Sequence, residues 1–331
     1  MVQKKEMSYN NTFSEQGARL LVENNGCAVW QFRNETGDGT MTAYDIFPGV
    51  MLSFNDFHMK HYDSGYVADR NLLVIDHCRE GRMEYTAAKN SFAYIGAGDM
   101  KLDRRKFHTG IFEFPSCHYH GLTIAMDLDI VRTSLASEIK DFPVTPERII
   151  DRFQLEEYPK VIHGVQTMEH IFGEMYQVPE KIRTAYFKVK ILEMMLYLDV
   201  INIPKEDDEH PYFYRTQVEK IKAVQGFLAE NISENYTQEE LSKKFDFPLT
   251  AMKNCFRSVY GTSIGAWITD YRMNRAAELL SDENELNIAE IGGMVGYDSA
   301  SKFAASFKKV MKLTPSEYRM ERGKRHGEGN E

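Results

Sequence analysis

Apolar positions follow two different periods along this chain, and the change between them divides it. Up to about Asp129, short runs of aromatic and β-branched residues are broken by turn signals at Asn34 to Thr40, Phe47-Pro48-Gly49 and Gly96-Ala97-Gly98-Asp99. This is the pattern of short strands joined by tight turns. Gly81-Arg82-Met83-Glu84-Tyr85 and Ser91-Phe92-Ala93-Tyr94-Ile95 read as paired strands, and Tyr119 to Met126 as a more buried one. A small barrel or sandwich would close such a sheet. Between Tyr158 and Ile203 the spacing becomes helical, with Val161, Val165, Met168 and Phe172 on one predicted helix and Phe187, Ile191, Met194, Met195 and Leu198 on a second. The second is apolar around much of its circumference. It suits either an ordinary core helix or one buried on two sides, against the sheet and against a second copy of the chain. Pro204, the acidic run Glu206 to Glu209 and Pro211 then disfavour helix and strand alike, which predicts a linker from Asn202 to Thr216.

The last hundred residues are punctuated by helix starts. Thr237-Gln238-Glu239-Glu240, Asn287-Ile288-Ala289-Glu290 and Thr314-Pro315-Ser316-Glu317 each place a side-chain oxygen at the N-cap and a Glu three residues later. In such a box each residue satisfies a backbone N–H of the other. Reading outward predicts a helix Gln238 to Phe245, a turn Asp246-Phe247-Pro248, and a helix Leu249 to Tyr260 with Met252 and Phe256 inward. Gly261 supplies a left-handed C-cap, and a long helix follows from about Ile264 to Leu280. The unit recurs as Ile288 to Met294, the turn Gly296-Tyr297-Asp298, and Ser299 to Met311 with Phe303, Phe307 and Val310 inward. Two helix-turn-helix units are implied, each with a second helix whose outward residues can reach base edges in a major groove.

Composition narrows the class. At 331 residues the chain exceeds one ordinary core, and 43% hydrophobic with 27% charged residues is globular rather than disordered. No apolar run approaches the roughly 18 residues of a spanning helix. The polar start from Met1 to Ser14 has no signal-peptide pattern, so a cytoplasmic protein is expected. Cys27, Cys78, Cys117 and Cys255 are scattered, without a CxxC pair, so reduced thiols are expected rather than disulfides or a zinc knuckle. The net charge of -9 argues against indiscriminate coating of nucleic acid. From Gln217 onward, however, 16 Lys and Arg face 17 Asp and Glu, so the acidity sits in the front. A nearly neutral tail still binds DNA when its cations share a face, because phosphate contacts respond to local charge.

The stretch from Thr237 to Arg319 resembles the DNA-binding domain of the AraC/XylS family of transcriptional regulators. The resemblance rests on Phe256 with Gly261, Arg272 with Arg275-Ala276 and Leu279-Leu280, Ile288-Ala289-Glu290-Ile291, Val295-Gly296-Tyr297, Phe303 to Phe307, and Thr314-Pro315-Ser316-Glu317-Tyr318-Arg319. It implies that the first recognition helix presents Thr250, Lys253 and Asn254 to bases, with Arg257 nearer the phosphates. The second would present Ala300, Ser301, Ala304 and Ala305. Here the chain departs from the family pattern, since Ala304-Ala305 stand where polar side chains are common and offer only apolar contact, for instance to a thymine methyl. Position would then come from Lys302, Lys308 and Lys309. Each lysine taken alone reads equally as a solvated helix face.

The front segment resembles the cupin-like sensor half of such regulators, with Phe114-Pro115, His118-Tyr119-His120-Gly121 and Asp127-Leu128-Asp129 similar to a siderophore-responsive subgroup. The resemblance implies an α+β protein. Its parts would be a cupin-like β-barrel over 1–145, a helical dimerisation segment over 146–203, a linker over 204–216, an all-α double helix-turn-helix domain over 217–322 and a polar tail over 323–331. Trp30, His58, Tyr85, His118 and His120 are the candidates for lining a barrel that takes a planar or polar effector. His58 with His61 and His118 with His120 raise the question of a metal. The first pair is three residues apart and no complete cupin metal signature follows the second, so no metal or other cofactor is expected. No nucleophile–base spacing, phosphate-cradling glycine loop or paired carboxylate supports catalysis, and no enzyme activity is expected. The expected partners are double-stranded promoter DNA, a small-molecule effector, RNA polymerase and a second copy of the chain, with no membrane. Two alternatives stand beside this reading: a cupin-type metalloenzyme fused to a DNA-binding module, and a ligand-independent DNA-binding dimer.

Overall fold

The computed structural model describes residues 18–24, 26–64, 70–88, 90–106, 108, 110–202, 213–282 and 286–327, at 282 and 322–327 for the backbone alone. It divides into two units, 1–214 and 215–331. Pro204, the acidic run and Pro211 of the expected linker lie outside the described residues, as does the end of the polar tail.

The first unit is α+β. Its strands are β1 (Arg19–Asn24), β2 (Cys27–Asn34), β3 (Gly37–Phe47), β4 (Val50–His58), β5 (His61–Asp63), β6 (Leu72–Ala88), β7 (Ser91–Gly96), β8 (Met100–Asp103), β9 (Ile111–Glu113), β10 (Tyr119–Asp127), β11 (Lys160–Ile162) and β12 (Phe213–Tyr214). They form one antiparallel sheet in the order β1-β2-β3-β4-β10-β6-β7-β12, with β8 on β6 and β11, and β9 on β5 and β6. The expected pair is present as β6 on β7, with Met83 opposite Ile95. Gly81 allows β6 to serve two partners: its φ is +82°, and a Cβ there would lie 2.0 Å from the His118 carbonyl oxygen.

Alternation sends each strand's residues to two cores. Trp30, Phe32, Phe57, Tyr62, Tyr85 and Tyr119 pack together with no helix among them, as in a half-barrel curled over its inner face. Leu52, Ile75, Leu122 and Ile124 face the other way, onto the helices α1 (Leu128–Glu138), α2 (Pro146–Phe153), α3 (Gln166–Met175) and α4 (Arg183–Val200). The two periodic helices of the sequence are α3 and α4. The start of the first differs from expectation, because Lys160–Ile162 pairs with β8 instead. Its Val161 enters the inner core and Ile162 the helix-covered one, a two-residue alternation that a helix cannot supply. Helix α1 was not expected, whereas α2 opens the segment expected to be helical over 146–203 without a periodic run of its own; Asp127 caps the first, and Thr145 with Pro146 opens the second. Strand β12, on β7, falls in the stretch expected to be linker.

The second unit is all helix: α5 (Arg215–Glu230), α6 (Gln238–Lys244), α7 (Leu249–Tyr260), α8 (Ile264–Asp282), α9 (Ile288–Met294), α10 (Ala300–Met311) and α11 (Pro315–Gly327). Helix α5 was not expected; it buries Val218, Ile221, Val224 and Leu228 along one stripe. All three capping boxes form, with Thr237, Asn287 and Thr314 each accepting from the N–H of its Glu while the Glu carboxylate accepts in return. Among the described residues no helix is long and apolar enough to cross a membrane.

Candidate nucleic-acid interface

Helices α6 and α7 form the first helix-turn-helix, α9 and α10 the second, and α8 runs between them. The first turn is held by Ser242 Oγ donating to the Phe247 carbonyl at 2.7 Å and Lys220 Nζ donating to the Asp246 carbonyl at 2.6 Å, with Phe247 buried beneath. Helix α7 buries Met252, Cys255, Phe256 and Val259 and ends at Gly261 with φ +75°. Phe256 meets Trp267 of α8 edge-on, with ring centroids 6.1 Å apart. Burial of that stripe fixes which side faces out. Thr250, Lys253, Asn254 and Arg257 are all exposed, and their spacing of three, one and three residues puts them in one row.

The second helix-turn-helix repeats this construction. Phe303 and Phe307 of α10 are fully buried against Ile291 and Val295. Gly292 makes room for them, since a Cβ there would stand 3.2 Å from the Phe303 ring. Ala300, Ser301, Lys302, Ala305, Lys308 and Lys309 are exposed, and Ala304 is half-buried. The expected residues therefore fall into two rows, one on each second helix. The row on α7 offers hydroxyl, amide and cationic groups, whereas the row on α10 offers Ser301 and lysines around small apolar side chains.

One residue ties the two helix-turn-helix units together. Arg272, 8% exposed on α8, donates through Nε to the Ile232 carbonyl at 2.9 Å, through Nη2 to the Glu234 carbonyl at 2.7 Å and through Nη1 to Asn235 Oδ1 at 2.9 Å. Its guanidinium thus holds the segment that enters α6. It also lies over the second turn, where a Cβ on Gly296 would meet Arg272 Nη2 at 2.8 Å. The sequence offered Arg272 only as part of a resemblance and said nothing of this bracing role. Burial pushes its pKa down from the usual arginine value, but a guanidinium remains charged at any ordinary pH.

In the first unit the five expected effector residues do not converge. Trp30 and Tyr85 are buried on the inner face. His58, two residues past Asp56 and out of phase with the inward Phe57, is on the helix-covered side together with His118 and His120, whose ring meets Tyr176 edge-on at 5.3 Å. A one-residue change of phase moves a strand side chain to the opposite face, so the three histidines do not line the interior with Trp30 and Tyr85.

The inner face instead carries a charged network absent from that expectation. Lys101 Nζ lies 3.1 Å from Asp76 and 3.0 Å from Asp103, and Arg105 Nη2 donates to both Asp76 oxygens at 2.9 Å. Thr123 donates to Asp76 at 2.8 Å and Asn55 to Thr123 at 3.1 Å. Burial alone would raise the Asp76 carboxyl. The pull of Arg105 and Lys101, with the Thr123 hydrogen bond, outweighs it and leaves the group below its ordinary value. The available signal was Asp76 in the apolar run Leu72 to Cys78, with Lys101 and Asp103 alternating with Met100 and Leu102.

Comparison with known proteins bears on the second unit. Residues 241–321 match a family described as a helix-turn-helix domain. The virulence regulon transcriptional activator VirF of Yersinia enterocolitica is 32% identical over 97 residues, 29% of this chain and 35% of that protein. The HTH-type transcriptional regulator ExsA of Pseudomonas aeruginosa is 31% identical over 99 residues, 30% of this chain and 35% of its own length. The match thus spans about a third of these curated relatives. Among solved structures, the C-terminal domain of AraT, a response regulator from Geobacillus stearothermophilus, aligns with a TM-score of 0.30 and 30% identity over 31% of this chain and 85% of that one. The C-terminal unit therefore carries a helix-turn-helix domain similar to those of these transcriptional regulators.

Proposed function

We propose that the protein is a cytoplasmic, sequence-specific regulator of transcription that binds promoter DNA as a homodimer through α7 and α10 and responds to a small molecule held by its half-barrel. The observation that carries this reading is the row Thr250, Lys253, Asn254 and Arg257, exposed on a helix anchored by four buried residues behind it. A rigid helix with hydroxyl, amide and cationic groups in one row suits the edges and phosphates of a major groove. Control of transcription, by contact with RNA polymerase or by occlusion of it, is supported by the names of the relatives. Lys253 and Asn254 read bases; Lys302, Lys308 and Lys309 contact phosphates.

The effector reading rests on the inner face. The Tyr62 and Tyr119 hydroxyls there are buried without a hydrogen-bond partner among the described residues, beside the Asp76–Lys101–Asp103–Arg105 network. Unpaired buried hydroxyls are costly, and a polar ligand would satisfy them. The dimer reading rests on α4, where Val189, Leu196, Tyr197 and Val200 are 41–65% exposed along one side, opposite the stripe that packs on the core.

The test is a binding-site selection with the parent, Lys253→Ala, Asn254→Ala and Lys308→Ala. The first two should change the selected sequence, with a cost of about 1–3 kcal/mol on the parental site. Lys308→Ala should weaken all sites alike. Three variants that keep the parental preference and affinity would remove α7 and α10 from the interface.

A further inference from the structure

The strand register gathers groups that the sequence had separated. Across β4 and β10, His120 stands opposite Asp56 and Tyr119 opposite Phe57, so one step further His118 comes opposite His58. Glu80 of β6 flanks His120 on the other side. The two imidazoles approach with Nδ1 facing Nδ1 at 3.4 Å and ring centroids 4.8 Å apart. Their other nitrogens face carboxylates: His58 Nε2 lies 3.1 Å from Asp56 Oδ1, and His118 Nε2 lies 3.7 Å from Glu80 Oε2.

That arrangement constrains the protons. A carboxylate only accepts, so each Nε2 is favoured as the protonated nitrogen, and both Nδ1 atoms are left as lone pairs pointing at one another. Two acceptors at that distance repel unless a cation lies between them. Two nitrogens bound to one tetrahedral zinc at its usual bond length are about 3.4 Å apart, the separation found here. A carboxylate on the far nitrogen is also the usual way in which a metal-binding imidazole is oriented and made more basic.

From this geometry we propose that His58 and His118 form a surface site for a divalent transition ion such as Zn2+ or Ni2+, with Asp56 and Glu80 orienting the two rings. A donor atom from each of Asp56, His58 and His118 lies within 4.8 Å of the others, with Asp56 on the far side of the His58 ring from the ion. Imidazole suits zinc, nickel and copper, whereas Mg2+ and Ca2+ prefer all-oxygen sites. Open coordination positions are left to water or to a further ligand. The histidine pairs visible in the sequence, His58 with His61 and His118 with His120, are not the ones that meet; His61 instead faces Glu35, with 3.4 Å between Nε2 and Oε1, and His120 faces Tyr176.

The experiment measures Ni2+ and Zn2+ binding to the full chain by calorimetry, with metal content read independently after equilibrium dialysis. One ion per chain is expected. His58→Ala and His118→Ala should each abolish binding, and Asp56→Asn should weaken it by about 10-fold or more. Cys117→Ser should leave it unchanged, because the adjacent exposed thiol is not in the set. His58 and His118 contribute little to either core, and the circular dichroism of each variant verifies its fold. Absence of stoichiometric binding, or binding that survives loss of both histidines, would overturn the site. The first outcome would mean that the pair shares only a proton.

Discussion

At the scale of single residues, the helix-turn-helix unit depends on a glycine that no side chain can replace. Gly296 has φ +81°, and a Cβ there would lie 2.7 Å from the Ser233 carbonyl oxygen and 2.8 Å from Arg272 Nη2. The left-handed backbone costs a residue with a side chain about 1–2 kcal/mol before any clash. The clash cannot relax cheaply, because Arg272 is held by three hydrogen bonds and Ser233 is backbone. Gly296→Ala should therefore destabilise the second unit by about 3 kcal/mol in urea unfolding. It should also weaken DNA binding, because the turn aims α10. Gly293, with nothing within 4 Å of a Cβ, is the control: Gly293→Ala should be neutral or slightly stabilising. Equal unfolding midpoints for the two variants would show that Arg272 does not brace this turn.

Between elements, the contact of α3 with the sheet contains a titratable ring. His77 of β6 stacks on Phe172 of α3, with centroids 4.3 Å apart and planes 19° from parallel. Neither ring nitrogen has a hydrogen-bond partner among the described residues. Burial lowers its pKa from 6.5 to about 4, despite the opposing pull of Asp99. Between those values the unfolded chain binds a proton that the folded chain refuses, so stability falls as pH drops from 6.5 towards 4. The loss is about 3 kcal/mol at most. His77→Leu should lessen the slope of that limb in a plot of stability against pH, with His108, which burial pushes down to about 3, keeping its own share, while leaving the loss below pH 4 that Asp76 and Asp103 impose. An unchanged slope from 6.5 to 4 would mean that His77 is not the group responsible. Which elements were legible follows from how local their causes are. Helices α6 to α11 could be read because a cap, a turn residue and a buried stripe lie within a dozen positions of one another, as Thr237 with Glu240 does. Asp127 and the Thr145-Pro146 start give the same signals for α1 and α2, but no long periodic run follows them. The meeting of His58 with His118, and of Asp76 with Lys101, depends on strand register across tens of residues, which alternation along one strand does not determine.

For the molecule as a whole, charge and assembly make a joint prediction. The summed charge of -9 resides mostly before Gln217, so attraction to DNA depends on a few cations aligned on α7 and α10: Lys253, Arg257, Lys302, Lys308 and Lys309. Each phosphate neutralised releases counterions and adds about -0.9 to the slope of log affinity against log salt. If the four that face phosphates, Arg257, Lys302, Lys308 and Lys309, all engage, one chain gives a slope of about -3.6 and a dimer on two half-sites about -7. The dimer reading assigns the doubling to α4, where Val189 and Val200 are 60% and 65% exposed eleven residues apart, on one side of the helix. A Val189→Glu, Val200→Glu double variant places carboxylates on that side without entering the core. It should sediment as a monomer and halve the slope while retaining the parental half-site preference, because α7 is untouched. A slope that stays near the dimer value, in protein that sediments as a monomer, would separate DNA binding from assembly and show that the cations on one chain do not set the salt dependence. A variant that remains dimeric would instead place the contact between copies somewhere other than α4.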